Sequence, residues 1–329
     1  MPSDDDAFLR DEILNLKERR RAIILSHNYQ RDEIQEIADF VGDSLELSRT
    51  AATIDCDIIL FAGVTFMAES AAILSPGKRV LTTEIDALCP MADMIRVNSP
   101  RSVRKEFPGF QNPPSFIFPR EFSLKDIKKK YPGAPVVAYV NTTADVKAES
   151  DICCTSANVV KVVNSLPDER VICIPDKNLS LWAAKNTGKE VIAWDGFCHV
   201  HERAGIADVK KARAEHSKAL FMAHPECRLE VLEIADHVTS TSGMLRFAKA
   251  SSEKEFIVGT EIGLLYRLRK ENPDKVFYPL REDMVCPEMK KTTLKSLLRA
   301  LKEDTYLISL PDTVRIPAKR ALDRMLETR

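Results

Sequence analysis

Three cysteines, three strand-end polar residues and three hydroxyls recur along the chain at matching intervals. Together they have the chemistry of a metal-assisted site for an anionic substrate. The first set reads Ile24-Leu25-Ser26-His27-Asn28-Tyr29, Gly42-Asp43-Ser44, Leu60-Phe61-Ala62-Gly63 and Ala87-Leu88-Cys89-Pro90. The second reads Val137-Ala138-Tyr139-Val140-Asn141, Cys154-Thr155-Ser156, Ile172-Cys173-Ile174-Pro175-Asp176 and Gly196-Phe197-Cys198-His199. The third reads Phe221-Met222-Ala223-His224-Pro225-Glu226, Ser240-Thr241-Ser242, Ile257-Val258-Gly259-Thr260-Glu261 and Met284-Val285-Cys286-Pro287. His27 to Ser44, Tyr139 to Ser156 and His224 to Thr241 are each 17 positions, and those hydroxyls precede Cys89, Cys198 and Cys286 by 45, 42 and 45. Intervals kept that closely mark an internal repeat.

Three thiolates without a fourth fit a four-iron four-sulfur cluster with one iron left open, because a fourth cysteine would close the site. An open iron is a Lewis acid. Zinc held by the three cysteines and a histidine is the competing reading, with His199 or His201 as fourth ligand. Free cysteine is also an ordinary small core residue. Cys56, Cys153, Cys154, Cys173 and Cys227 have no counterpart in all three units and keep that reading. Ser44, Ser156 and Thr241 read as helix N-caps. A cap and a binding role are compatible, since a hydroxyl and free N–H groups at a helix start hold a carboxylate or phosphate. Glu226 occupies the repeat position shared with Tyr29 and Asn141 and is the obvious carboxylate for proton transfer, with Tyr29 and His201 as the other acid–base candidates.

Short apolar, β-branched runs alternating with amphipathic segments of about 10 to 15 residues must position these groups, a pattern of βα units on parallel sheets. Candidate strands cover Ala22–Ser26, Ile58–Ala62, Val80–Thr83, Val136–Val140, Val171–Ile174, Val191–Trp194, Ala219–Ala223, Phe256–Gly259 and Val276–Pro279. The class is α/β, with three homologous αβα units of three layers each. Ligands in such sheets sit outside the carboxyl ends of the strands. If the units pack about a pseudo-threefold axis with those ends inward, Cys89, Cys198 and Cys286 meet at one point.

The expected units are 1–105, 106–198 and 199–291, with 292–329 packing on the first. Pro-rich punctuation from Asn98 to Pro114 and, less sharply, the stretch His201 to Asp208 mark the boundaries. Ala7–Arg21, Thr292–Leu301 and Pro317–Leu326 read as helices, and Tyr306–Leu310 as extended.

Composition narrows the function classes. Among 329 residues, 44% are hydrophobic, enough for several cores, and 48 Lys plus Arg against 49 Asp plus Glu leave a net charge of −1. No general basic surface points to nucleic acid or anionic lipid. The richest apolar stretch, Ile54 to Leu74, is broken by Asp55, Asp57 and Glu69, so no membrane span is expected. The start, Met1-Pro2-Ser3-Asp4-Asp5-Asp6, lacks the basic and apolar regions of a secretory signal, which makes the cytoplasm the expected compartment. There the eight cysteines stay mostly reduced, and none stands in a Cys-x-x-Cys pair.

From about Arg20 to Leu326 the chain resembles the quinolinate synthase family, the A protein of de novo NAD biosynthesis. The resemblance is carried by His27-Asn28-Tyr29-Gln30, Gly42-Asp43-Ser44, Cys89 with Met91-Ala92-Asp93-Met94, and Tyr139-Val140-Asn141-Thr142. It continues through Cys198-His199-Val200-His201-Glu202, His224-Pro225-Glu226-Cys227 and Met284-Val285-Cys286-Pro287-Glu288-Met289-Lys290. It implies a three-domain pseudo-threefold fold and one four-iron four-sulfur cluster per chain on Cys89, Cys198 and Cys286. It further implies condensation of iminoaspartate (iminosuccinate) with dihydroxyacetone phosphate to quinolinate, phosphate and water. By the same resemblance His27, Ser44, Tyr139, Val140, Asn141, Ser156, His224, Pro225, Glu226 and Thr241 contact substrate, with Tyr29 and His201 in catalytic or gating roles. Expected partners are these small molecules, the enzyme that supplies iminoaspartate, and a second copy of the chain. The fused sulfur-transfer domain of plant members and the C-terminal cysteine triplet of some bacterial ones are not seen, so plastid targeting and disulfide switching lose support. The alternatives are an aconitase-type hydro-lyase, a non-catalytic iron-sulfur sensor and a structural zinc protein. The loop candidates for gating are Pro100 to Pro114 and the segment around Tyr29.

Overall fold

A computed structural model of the chain describes residues 4–98 and 123–328. The expected boundary Asn98 to Pro114, apart from Asn98, and the gating-loop candidate Pro100 to Pro114 lie outside them.

Among the described residues, twelve strands form three four-stranded sheets. The first holds β1 (Ala22–His27), β2 (Phe40–Gly42), β3 (Ile58–Ala62) and β4 (Arg79–Thr82). The second holds β5 (Val136–Tyr139), β6 (Ile152–Cys154), β7 (Arg170–Ile174) and β8 (Glu190–Ala193). The third holds β9 (Leu220–Ala223), β10 (His237–Val238), β11 (Glu255–Gly259) and β12 (Val276–Pro279). Each sheet repeats one order, β2-β1-β3-β4, β6-β5-β7-β8 and β10-β9-β11-β12, with every pairing parallel. Helices cover both faces, which is why the central strands are near-continuous apolar runs; all five residues of β3 are buried. The nine expected strands are present within a residue or two at their ends, and the three short edge strands β2, β6 and β10 are additional.

Register explains the repeated interval. His27 pairs with Gly42 and Tyr139 with Cys154, while Ala223, just before His224, pairs with Val238, just before Thr239. Each hydroxyl therefore stands two residues beyond the partner of its strand-end residue. An aspartate locks each register. Asp39, Asp151 and Asp236 accept from the backbone N–H groups of Ile24, Val136 and Phe221 at 2.8, 2.7 and 2.8 Å. Each of these carboxylates precedes its hydroxyl by five positions.

The helices Asp4–Arg19 and Leu294–Glu303 pack on each other and bury Ile13, Leu297 and Leu301 against the first sheet. The tail then crosses the exposed edge of β4, where Ile308 N–H donates to Val80 O at 2.9 Å and Thr82 N–H to Tyr306 O at 3.2 Å. The Tyr306–Leu310 segment thus makes an isolated bridge rather than a strand. The last helix, Asp312–Glu327, carries Pro317 inside it instead of at its start. It packs on the helix Ala144–Ala148 and β6 beside the second sheet as well as on Thr65–Leu74 beside the first. No helix among the described residues is long and apolar enough to cross a membrane.

Candidate active site

In sheets of this order the chain reverses direction between the first and third strands, and loops splay apart there to leave a crevice. The crevices of all three sheets open into one cavity of about 70 Å³. His27 and Tyr139 end β1 and β5, and His224 follows β9. Their side chains line the cavity with Tyr29, Asn141, Glu226, His201, Ser44, Ser156, Thr241 and the three repeated cysteines. Val140 and Pro225 are not among the lining residues: Val140 borders a smaller neighbouring pocket instead.

Cys89, Cys198 and Cys286 are partly exposed, whereas the other five cysteines are buried. Each of the three is followed, three residues on, by a short 3-10 turn: Ala92–Met94, His201–Arg203 and Met289–Lys291. Burial pushes the thiols up, Cys286 to about 11, while backbone N–H groups aimed at sulfur oppose it: Met91 and Ala92 at Cys89, His201 at Cys198, Glu288 and Met289 at Cys286. Three convergent thiols, one from each sheet and each with N–H donors directed at its sulfur, fit an iron-sulfur cluster. A single ion has its own candidate set. Cys198, His201 and Glu226 offer ligand atoms within 4.8 Å of one another.

A hydrogen-bonded chain crosses the cavity. The Tyr29 and Thr260 hydroxyls are 2.6 Å apart, and Thr260 Oγ1 lies 2.9 Å from His201 Nε2. His201 Nδ1 lies 3.0 Å from Glu226 Oε2 and 3.2 Å from Cys198 Sγ. Glu226 Oε2 is 3.3 Å from His224 Nδ1, whose Nε2 reaches Ser156 Oγ at 3.1 Å. Burial alone would raise the Glu226 carboxyl, but His201 and then His224 hold it well below the usual carboxylate range. Burial, reinforced by Glu226, raises the phenols of Tyr29 and Tyr139, and burial lowers His224 and takes His27 down to about 4. The cavity at neutral pH thus holds an ionised carboxylate, two protonated phenols and a neutral His27. Two buried atoms, Glu226 Oε1 and Asn141 Oδ1, have no hydrogen-bond partner among the described residues. Orphaned polar atoms at a cavity wall are what an absent ligand leaves behind.

The hydroxyls are not the caps expected of them. Asp43 caps the helix Ser44–Thr53, accepting from Leu45 and Glu46 N–H at 3.0 Å each, and Ser240 caps Thr241–Ala250 through Gly243 N–H at 3.2 Å. In the second unit Ser156 lies two residues before the helix Val159–Ser165 caps at Asn158. A capping residue placed earlier leaves Ser44 and Thr241 at the first helical position, on the cavity wall. Thr241 Oγ1 also accepts from Asn28 Nδ2 at 2.9 Å, joining the third unit to the first.

Sequence reasoning missed the lining residues Asp43, Thr155 and Glu261, the bridging Thr260, and the buried Asp176 behind Cys198. All five stand inside the repeated motifs, so recurrence was the available signal; their roles needed the third dimension. Burial, then Glu226, pushes the Asp176 carboxyl up, and the N–H groups of Leu179, Cys198 and Asn178 pull it back. Burial raises Glu261 likewise, against Lys290.

Comparison with known proteins is consistent along nearly the whole chain. Residues 11–327 match the family model described as NadA, quinolinate synthetase A protein. The chain is 56% identical over 317 residues to the quinolinate synthase of Thermodesulfovibrio yellowstonii, covering 96% of this chain and 97% of that one. It is 51% identical over 323 residues to the quinolinate synthase of Methanoregula boonei, covering 98% and 99%. With quinolinate synthase 1 of Methanosarcina acetivorans it shares 50% over 320 residues, covering 97% of each.

Proposed function

The chain belongs to the quinolinate synthase A family and is an enzyme, and from that premise we propose that it condenses iminoaspartate with dihydroxyacetone phosphate in NAD biosynthesis. The products that balance the atoms are quinolinate, phosphate and two molecules of water. The observation that carries the proposal is the convergence of one partly exposed cysteine from each of three sheets on the cavity that also holds Glu226. Those cysteines would hold a four-iron four-sulfur cluster, and when bound it supplies an iron free to act as Lewis acid toward a substrate oxygen.

The chain's own residues do the rest. Glu226, ionised and backed by His201 and His224, takes a proton from substrate carbon or nitrogen through its unpartnered Oε1. Tyr29, protonated and tied through Thr260 to His201, returns one. Ser44, Ser156 and Thr241 hold the carboxylates and phosphate, and Asn141 accepts from the imine or a hydroxyl. The buried wall keeps water from the reactive imine. The proposed units are 1–105, 106–198 and 199–291, one per wall. A cytoplasmic location, a homodimer and contact with the iminoaspartate-supplying enzyme belong to the same proposal.

A second reading has one observation in its favour, the Cys198, His201 and Glu226 group, which suits a single ion such as zinc. One experiment separates the two. The protein is purified without oxygen, and iron, acid-labile sulfide, zinc and quinolinate formation are measured for wild type, Cys89→Ala, Cys198→Ala, Cys286→Ala and Cys153→Ala. Near-equal iron and sulfide, lost in the first three variants and kept in the fourth, together with quinolinate formation, supports the cluster enzyme. Zinc without sulfide overturns it.

A further inference from the structure

Behind two of the three cysteines lies a buried carboxylate in an equivalent position. Asp176 stands two residues past the end of β7 and Glu261 two past the end of β11. Asp176 is 1% exposed and Glu261 not at all. Asp176 Oδ2 accepts from Cys198 N–H at 3.2 Å while Oδ1 accepts from Leu179 N–H at 2.8 Å, capping the helix Lys177–Thr187. Glu261 Oε1 accepts from Cys286 N–H at 3.1 Å while Oε2 accepts from Gly263 N–H at 2.7 Å. In each case one carboxylate spans the turn after the third strand and the loop that presents the thiol.

The first unit breaks the pattern. The residue two past the end of β3 is Val64, which caps nothing. The cysteine loop there is held from outside, by Glu288 of the third unit, whose Oε2 accepts from Leu88 N–H at 2.9 Å. Glu288 lies two residues past Cys286. The loops of Cys89 and Cys286 are thereby coupled directly.

We propose that Asp176 and Glu261 are positioning residues that fix the backbone of Cys198 and Cys286 for metal binding, with Glu288 lending the missing carboxylate to the loop of Cys89. A thiol offered to a metal must be held within a few tenths of an ångström, and partners behind the ligands do that holding. A carboxylate is required because every named partner donates: the Cys198 and Leu179 N–H groups to Asp176, and the Cys286 and Gly263 N–H groups together with the Lys290 ammonium, 3.0 Å from Oε1, to Glu261. An amide of the same shape would turn its NH₂ toward one of them. Asparagine caps helices as well as aspartate does, so Asp176→Asn keeps the cap and withdraws the acceptor from Cys198.

The inference rests on the cluster reading, and its test separates the two. Full-length protein, loaded with iron and sulfide without oxygen, is mixed with excess ferrous chelator, and loss of the visible sulfur-to-iron absorbance is followed for wild type, Asp176→Asn, Glu261→Gln and Asp151→Asn. The last is a matched control, because Asp151 also holds a backbone N–H, that of Val136, but at the far end of its strand. Release about tenfold faster in Asp176→Asn and Glu261→Gln, the effect of one ordinary hydrogen bond, with the control at the wild-type rate, supports the assignment. Equal rates in all four, or a control as fast as the other variants, overturn it and leave the cluster reading standing. A wild type that takes up no iron and sulfide overturns both. Glu261→Gln decides alone if Asp176→Asn does not fold, and the thermal midpoint of the metal-free chain separates release from loss of fold.

Discussion

Thr260 is the single hydroxyl through which Tyr29 and His201 meet, and replacing it with valine tests whether that junction organises the acid–base chain. Valine nearly matches threonine in volume, so cavity formation contributes little. What is lost is a partner for two buried groups, the Tyr29 hydroxyl at 2.6 Å and His201 Nε2 at 2.9 Å. An unsatisfied buried polar group costs about 1–3 kcal/mol, so the pair costs about 2–6 kcal/mol, less what a trapped water restores. His201 also loses the contact that turns Nδ1 toward Glu226, 3.0 Å away. Turnover to quinolinate is expected to fall about ten- to hundredfold, a fraction of what a complete acid–base group contributes, with Thr260→Ser close to wild type. Iron and sulfide content stay unchanged, since on the cluster reading His201 is not a ligand. The assay is steady-state quinolinate formation beside metal analysis and a thermal melt. A Thr260→Val protein with wild-type melting and turnover refutes the reasoning, and one that loses metal in step with activity moves His201 into the metal shell.

Three further outcomes follow from named contacts. Glu226→Gln keeps the shape but removes the ionised acceptor shared by His201 and His224, and is expected to lower kcat about 10²–10⁴-fold while cluster content holds. At Gly196 a Cβ would lie 2.3 Å from Pro175 O, so Gly196→Ala is expected to cost about 1–3 kcal/mol by overpacking and to loosen Cys198; Gly77→Ala, with nothing within 4 Å, is expected to shift chemical-denaturation midpoints negligibly. His27 falls from 6.5 to about 4 on burial, so the unfolded chain binds its proton first as pH drops. Stability from this group is full above about pH 6.5 and declines toward about pH 4, by about 3 kcal/mol across that window, and His27→Asn is expected to remove that part of the slope in urea titrations of the metal-free chain.

The central strands were legible because a strand covered on both faces must be apolar along its length, as β3 is. The edge strands β2, β6 and β10, two or three residues long, carry no such run. Their trace in the sequence is the aspartate that anchors each one, Asp39, Asp151 or Asp236. Cys89, Cys198 and Cys286 could be singled out because spacing survives where similarity does not. Asp176 and Glu261 could not be assigned a role, since a carboxylate that folds back on a backbone N–H 22 or 25 residues on resembles any helix-start acid. Apolar spacing outlined the last helix only from Pro317; the helix instead begins at Asp312 and carries Pro317 inside. Val140 shares a motif with Tyr139 and Asn141 but borders the smaller neighbouring pocket, beyond the end of β5.

The three walls of the cavity are copies that have stopped being equal. At one repeat position they offer Tyr29, Asn141 and Glu226, and at another His27, Tyr139 and His224. A ring of three identical subunits could build an equally symmetric sulfur seat, yet it would present three carboxylates or none. Joining the copies in one polypeptide lets each wall mutate by itself while the cysteines stay in step. The proposed reaction, between two different molecules, needs that broken symmetry. On the proposed reaction, the covalent linkage of the units is therefore a condition for distinguishing one substrate from the other, and not only a means of holding the walls together.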